Sequence, residues 1–292
     1  LNETSERARA LVESAQAALQ GGDDAAARSS YEQSLALFRE LDDKPGIADC
    51  LFNLGRIAWR QGDYPTARTY YEESLPLKRE LGDKKDIGLT LFSLGQIDLL
   101  QGDHAGALPR FEESMAFRRE AGDERGVAWC HNALGVIAYL GERYADARDL
   151  FEQSLAQLRE LGDKQGIAFA VNNLGNVAYL QGDYPAARTL HLESLQISRE
   201  RAYPLGIALG LAGLGEVAVE SAQPLVGARL LGAAEAQLEA IGGAIESDDR
   251  IPYDRAVASA RSRLGDEAFE QARQEGRAMT IEDAIAHAVK EP

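Results

Sequence analysis

The chain has 292 residues, 45% hydrophobic and 27% charged, the balance of a folded protein rather than a disordered one. A formal net charge of -16 repels phosphate, so neither nucleic acid nor an anionic membrane surface is an expected partner. Cys50 and Cys130 make no disulfide framework, and every apolar run is broken by Gly, Gln or charge before it could span a membrane, so a reducing, cytoplasmic setting is expected.

The chain begins at Leu1 rather than Met, which reads as a processed product or a piece of something longer. Asn2-Glu3-Thr4 has the form of a glycosylation acceptor but lies at a chain end, with nothing to indicate secretion. Residues 1–43 read as a first helix pair, with Gly22-Asp23 between the helices and Ala27-Arg28, Tyr31 and Ser34 on the second. The signatures return forty residues later in 44–83, as Leu54-Gly55, Gly62-Asp63, Ala67-Arg68, Tyr71 and Ser74. They recur in 84–123 (Leu94-Gly95, Gly102-Asp103, Phe111, Ser114), 124–163 (Leu134-Gly135, Ala147-Arg148, Phe151, Ser154) and 164–203 (Leu174-Gly175, Gly182-Asp183, Ala187-Arg188). Three places are irregular: Ala15 stands where later pairs have Gly, Gly141-Glu142-Arg143 replaces Gly-Asp, and 204–242 keeps Leu214-Gly215 but has Ser221-Ala222-Gln223-Pro224 in the turn. Terminal repeats are commonly atypical because one face lacks a neighbour.

Within a repeat, Leu51, Leu54, Gly55 and Ala58 share one helical face, and Ala67, Tyr71, Ser74 and Leu75 share another. Gly62 suits the left-handed residue that ends a helix, Asp63 caps the next, and Pro65 falls in its first turn, where a missing N–H costs nothing. Gly82 and Asp83 repeat that logic between pairs. A mid-helix glycine costs roughly 1 kcal/mol against alanine, so Gly55, Gly95, Gly135, Gly175 and Gly215 imply close helix approach, with an aromatic such as Tyr71 or Phe111 filling the gap between adjacent pairs.

Beyond 242 the pattern changes. Residues 243–251 read as a Gly- and Asp-rich linker, followed by helices over Tyr253–Leu264 and Asp266–Arg277 and a third from Thr280, capped with Asp283. Ala256, Val257, Ala260 and Leu264, then Phe269, then Ile281, Ile285 and Val289 give inward stripes, so 243–292 is expected to cap the last repeat.

The residues offer no catalytic machinery, no cofactor site and no metal site. No phosphate-binding Gly-x-x-x-x-Gly-Lys-Ser/Thr loop occurs, and Gly213-Leu214-Gly215-Glu216-Val217-Ala218 matches a dinucleotide fingerprint only within a helix, without the strand that motif needs. His104, His131, His191 and His287 lack metal-ligand spacing, and Glu72-Glu73 and Glu112-Glu113 read as solvated outer faces.

Leu51, Leu54, Gly55, Ala58, Ala67 and Tyr71 together resemble the tetratricopeptide repeat, in the forty-residue form found in kinesin light chain, in the Leu-Gly-Asn cell-polarity adaptors and in many bacterial regulators. The resemblance covers about 5–242 and implies an all-α fold, a right-handed superhelical solenoid of six antiparallel helix pairs: 1–43, 44–83, 84–123, 124–163, 164–203 and 204–242. Residues 228–235, 264–269 and 275–280 also resemble the C-terminal end of bacterial STAND-class signalling ATPases and LuxR- or AfsR-like transcription regulators. That implies a sensor arm of a larger protein, with an upstream nucleotide-binding domain in the same full-length chain. A free-standing scaffold or co-chaperone adaptor is the alternative.

In such repeats the first helices line a concave face that holds a protein or peptide. The residues expected there are Asn53, Arg56, Trp59, Arg60, Phe92, Gln96 and Trp129, then Asn132, Tyr139, Asn172, Asn173, Asn176 and Tyr179. Asparagine carries both donor and acceptor and can pair with an extended backbone whatever its sequence, as it does in the resembling adaptors, and Asn53, Asn173 and Asn176 match that position. Arg56 and Arg60 could hold an acidic group. Phe52, Phe92, Trp129 and Phe169 are either anchors for a ligand or packing between adjacent first helices.

Overall fold

The computed structural model describes residues 2–243 and 247–290. Residues 244–246 of the expected linker, and the Asn2 side chain of the glycosylation triplet, lie outside the described residues. All elements among the described residues are helices. In order they are α1 (Asn2–Gln20), α2 (Asp24–Glu40), α3 (Lys44–Arg60), α4 (Tyr64–Leu81), α5 (Lys84–Leu100), α6 (His104–Glu120), α7 (Glu124–Leu140) and α8 (Tyr144–Glu160). There follow α9 (Lys164–Leu180), α10 (Tyr184–Glu200), α11 (Pro204–Glu220), α12 (Pro224–Ala240), α13 (Ser247–Leu264), α14 (Asp266–Arg277) and α15 (Ile281–Lys290). The chain forms two compact units, Leu1–Cys130 and His131–Pro292, dividing within α7. From α1 to α6 and from α8 to α12 each helix packs on the next in sequence, as a run of helix hairpins does, whereas α13 packs mainly on α11, α14 on α12, and α15 on α11 and α12.

The turns show why the register is so regular. At Gln61-Gly62-Asp63 the Asp63 N–H reaches back to the Ala58 carbonyl (3.0 Å), while the Asp63 carboxylate accepts from the Thr66 N–H (3.2 Å). One aspartate thus closes the outgoing helix and caps the incoming one. The geometry requires a left-handed residue just before it, met by Gly62 at φ +74°. The irregular turns keep that conformation with Asp42 (φ 53°), Glu142 (φ 58°), Ala202 (φ 48°) and Ala222 (φ 65°). Helices α8, α11 and α12 start after Arg143, Tyr203 and Gln223, none of which makes a side-chain cap.

The mid-helix glycine has a definite partner. A Cβ on Gly55 would lie 2.6 Å from the Tyr71 ring of the same helix pair, and Gly95 and Gly135 stand in the same relation to Phe111 and Phe151. The aromatic therefore seats first on the glycine of its own pair. Tyr71 also reaches the next pair, joining Leu94 and Ile97 in one cluster. The recurring serine does more than stay small. Ser34, Ser74 and Ser114 donate to the carbonyls of Ala8, Ala48 and Gly88 at 2.6–2.8 Å, and Ser194 donates to Ala168 at 2.9 Å, each tying a second helix to its own first helix. Cys50 and Cys130 are buried free thiols, Cys50 beside Ser34 and Cys130 beside Ser114, and burial pushes the Cys50 thiol up to about 11. On the outer face Arg39 pairs with Glu73 (3.2 Å), Arg79 with Glu113 (2.7 Å) and Arg159 with Glu193 (2.7 Å), so Glu73 and Glu113 are bound by a neighbouring repeat rather than simply solvated.

The C-terminal region differs from its sequence reading at two points. Helix α13 begins at Ser247, inside the expected linker, and carries Pro252 within it. Ala256, Ala260 and Phe269 are buried as expected, with Tyr253, against Val219, Ala228 and Leu231. Ile281 and Val289 are instead exposed, because α15 buries a narrower stripe of Ala284, Ile285 and Ala288. Thr280 caps α15, its hydroxyl accepting from the Asp283 N–H at 3.1 Å. Helix α14 crosses α12 with the backbones almost touching: a Cβ on Gly232 would lie 2.1 Å from the Arg273 carbonyl oxygen, and one on Gly276 would lie 1.9 Å from that of Arg229. Glu235 of α12 anchors the crossing, taking Arg273 (2.7 Å), Arg277 (3.3 Å) and the Tyr253 hydroxyl.

Candidate binding wall on the first helices

In the first unit, the expected groove residues of α3 form a partly open patch. Asn53 is half-buried, its amide donating to the Asp49 carbonyl at 2.9 Å, and Arg56 is exposed, with Nη1 3.4 Å from Asn53 Oδ1. Trp59 keeps 37% of its surface exposed. Arg60 does not join Arg56: its guanidinium pairs with Asp24 at the start of α2 (3.3 Å). On α5, Gln96 is half-buried, while Phe92 tilts on Phe111 with ring centroids 5.3 Å apart and carries the Arg118 guanidinium over its face at 5.2 Å. Phe52 is packed in the same way between Tyr71 (5.4 Å) and the buried Lys78 ammonium (3.9 Å). Both rings thus pack on the second helix of their own pair. Trp129 is half-buried.

In the second unit the wall is covered. Tyr139 and Tyr179, expected on the groove, are buried, because at the last turn of their helices they fold under the tight turn onto Tyr144 (5.9 Å) and Tyr184 (5.7 Å). Burial also pushes the Tyr179 phenol upward, Glu216 adding to the effect. Asn132 is half-buried and accepts from Asn173 at 3.1 Å. Asn172, Asn173 and Asn176 retain 2%, 7% and 4% of their surface, so they do not face an open groove. The cover is α13, which lies on α9 and α11. One carboxylate oxygen, Asp249 Oδ1, accepts from both Asn176 (2.8 Å) and Asn172 (3.2 Å). These two asparagines are four apart and stack on one face of α9.

Two buried ionisable groups stand behind this contact. Glu216 of α11 retains 2% of its surface, with Oε2 outside any hydrogen bond, and burial, reinforced by the negative charge of Asp249, raises its carboxyl well above the ordinary range. His191 of α10 is fully buried, Nδ1 3.2 Å from Asn172 Oδ1, and burial lowers its imidazole to about 4. Sequence reasoning had set His191 aside and missed both Glu216 and Asp249. A signal existed for two of them: His191 holds the position of Tyr71, Phe111 and Phe151, and Glu216 is a charge in the otherwise apolar interior of α11, in register with Arg56, Gln96 and Asn176. Asp249 gave no signal, since it fell in a stretch read as linker.

Among the described residues, no group of three or more His, Cys, Asp or Glu is placed to hold a metal ion, and no helix is long and apolar enough to cross a membrane. A separate groove of about 510 Å³ lies between α10 and α15, lined by Leu192, Leu195, Arg199, Ile285 and Val289.

Comparison with known proteins agrees with this architecture. No curated protein matches the chain. Among solved structures, a Rap protein complexed with Competence and Sporulation Factor superposes with a TM-score of 0.65 at 15% identity, covering 94% of this chain and 73% of that one. NprR in complex with its cognate peptide NprX gives a TM-score of 0.65 at 14% identity, covering 93% and 77%. A signal transduction ATPase with numerous domains and a tetratricopeptide repeat sensor, from Pyrococcus horikoshii, gives 0.61 at 14% identity, covering 94% of this chain but only 39% of that one. At these identities the likeness is one of fold. The family profile described as tetratricopeptide repeat matches residues 6–80, 86–160 and 134–200, and with the glycine–aromatic seats and the double-duty turns this places the chain in the tetratricopeptide-repeat family.

Proposed function

We propose that this chain is a non-catalytic protein- or peptide-binding module whose first helices form the binding wall, and that it serves as the sensing and regulatory arm of a larger bacterial signalling ATPase or transcription regulator in the cytoplasm. The observation that carries the reading is the hold of Asn172 and Asn176 on Asp249: side chains of the wall grip a segment from outside the repeats. Two structures of like fold are described with bound peptides or factors, and a third as a sensor within a larger ATPase, which supports both halves of the proposal. On this reading residues 1–242 are six repeats and 243–292 the linker and cap. In the first unit, the partly open patch of α3 with Asn53, Arg56 and Trp59 is a binding surface in its own right.

The test is capture of partners on the immobilised full chain, compared with Trp59→Ala and Arg56→Glu variants. A partner retained by the parent and lost from the variants, with thermal unfolding unchanged, is the expected result. Equal retention by all three would show that this patch does not hold the partner.

A further inference from the structure

We propose that Asn172 and Asn176 form a carboxylate-binding subsite, held in this chain by Asp249, which takes the Asp or Glu side chain of an acidic partner segment in its place. This names the partner chemistry for part of the wall and rests on the reading of the wall as a binding surface.

Donor chemistry comes first. An asparagine that reads a peptide backbone must offer both its N–H and its carbonyl. In Asn172 the carbonyl oxygen is turned toward His191 Nδ1, so its NH₂ is the group presented to a ligand. That NH₂ converges with that of Asn176 on a single oxygen. Two converging donors suit an acceptor that brings no proton, and a carboxylate is the strongest such group among side chains. Both amides are more than nine-tenths buried, so the hydrogen bonds form where water competes little.

The surroundings disfavour a second negative charge. Burial raises the Glu216 carboxyl well above the ordinary range, and the charge of Asp249 acts in the same direction. Arg255 of α13 lies over the Tyr179 ring at 5.5 Å, and burial lowers the His191 imidazole to about 4.

Asp249 is also a separable occupant. It precedes Pro252, whose missing N–H interrupts the hydrogen-bond ladder of α13. The body of the helix is fixed beyond that point by Tyr253, Ala256 and Ala260, which are buried against Val219, Leu231 and Phe269. Asp249 can therefore part from the two asparagines while the rest of α13 stays. An occupant tethered in cis sets a threshold, so a partner needs contacts beyond this subsite to displace it.

The test uses the full chain with Asp249→Ala, which deletes the occupant's carboxylate. Sodium acetate is expected to raise its Tm by about 2 °C over sodium chloride of equal concentration. The effect should be absent from the parent and from the Asp249→Ala/Asn176→Ala double variant, and equal Tm values in both salts would overturn the subsite. A synthetic peptide of residues 247–252 should also stabilise Asp249→Ala, whereas the same peptide with Asp249→Asn should not. A response to acetate but to neither peptide would overturn the partner half of the proposal. Should Asp249→Ala not fold, Asn176→Asp decides the matter. It sets a second carboxylate against Asp249, and trypsin cleavage after Arg250 should then rise at least about tenfold; an unchanged rate overturns the proposal. None of these arms uses a captured partner, so they can fail or succeed independently of the pull-down.

Discussion

His191 Nδ1 lies 3.2 Å from Asn172 Oδ1, and the opposite end of that amide donates to Asp249. Since a carboxylate can only accept, Asn172 turns its NH₂ toward Asp249 and its carbonyl toward His191, so Nδ1 carries the proton of a neutral imidazole. Protonating Nε2, which is buried without a hydrogen-bond partner, is unfavourable, and the pKa falls from 6.5 to about 4. A group depressed in this way binds its proton more tightly in the unfolded chain, so stability is lost as pH falls from about 6.5 toward 4. Urea unfolding of the second unit should show a loss of about 2 kcal/mol from this group between pH 7.5 and 5. His191→Phe, which restores the aromatic of the other repeats, should remove that part of the slope. An unchanged slope would mean that His191 is not the titrating group.

The repeat itself was open to reading because each of its signatures answers a local requirement. Gly62-Asp63 is what a tight interhelical turn demands, and Gly55 is what the Tyr71 ring demands. The wall was harder to read. A helical wheel places Asn172 and Asn176 on one face but says nothing of what lies on that face, and the answer sits more than seventy residues away, in a stretch whose Gly and Asp content looked like linker. Tyr139 and Tyr179 misled for a related reason: periodicity gives the direction of a side chain on an isolated helix, while a tight turn folds the following helix back over it.

Glu216 titrates in the opposite sense to His191. Its carboxyl is raised by burial and then by Asp249, so its contribution to stability is complete below the unfolded value and is lost as pH rises toward the folded one. Glu216→Gln keeps the shape and removes the proton. It should match the parent in stability near pH 4 and exceed it at pH 8, measured by denaturant midpoint. A variant less stable than the parent at pH 8 would show that the ionised carboxylate has a partner there.

Ala202 and Ala222 occupy the left-handed position that most other turns fill with glycine, at φ 48° and 65°. An L-residue pays roughly 1–2 kcal/mol in that region, partly offset by the greater freedom of glycine in the unfolded chain. Ala202→Gly and Ala222→Gly should each stabilise by about 0.5–1 kcal/mol and add together, since they lie in separate turns. Equilibrium denaturation of the two singles and the double checks this.

The crossing of α12 and α14 gives the region of STAND-like resemblance a physical reason to carry its two glycines. Gly232 meets the backbone of Arg273 and Gly276 meets that of Arg229, so neither clash is with a side chain that could turn aside. A methyl group at either place must push the helices apart, stretching the Arg273 and Arg277 pairs with Glu235 and loosening Phe269 from its cluster. Gly232→Ala and Gly276→Ala should each cost about 1–3 kcal/mol, the range for overpacking, despite the better helix propensity of alanine. Because both act on one crossing, the double variant should cost less than the sum. Hydrogen exchange locates the effect: amides of α14 should exchange faster in either variant, while those of α3 and α4 in the other unit keep their protection. Faster exchange throughout the chain would mean that the glycines support global stability rather than this crossing.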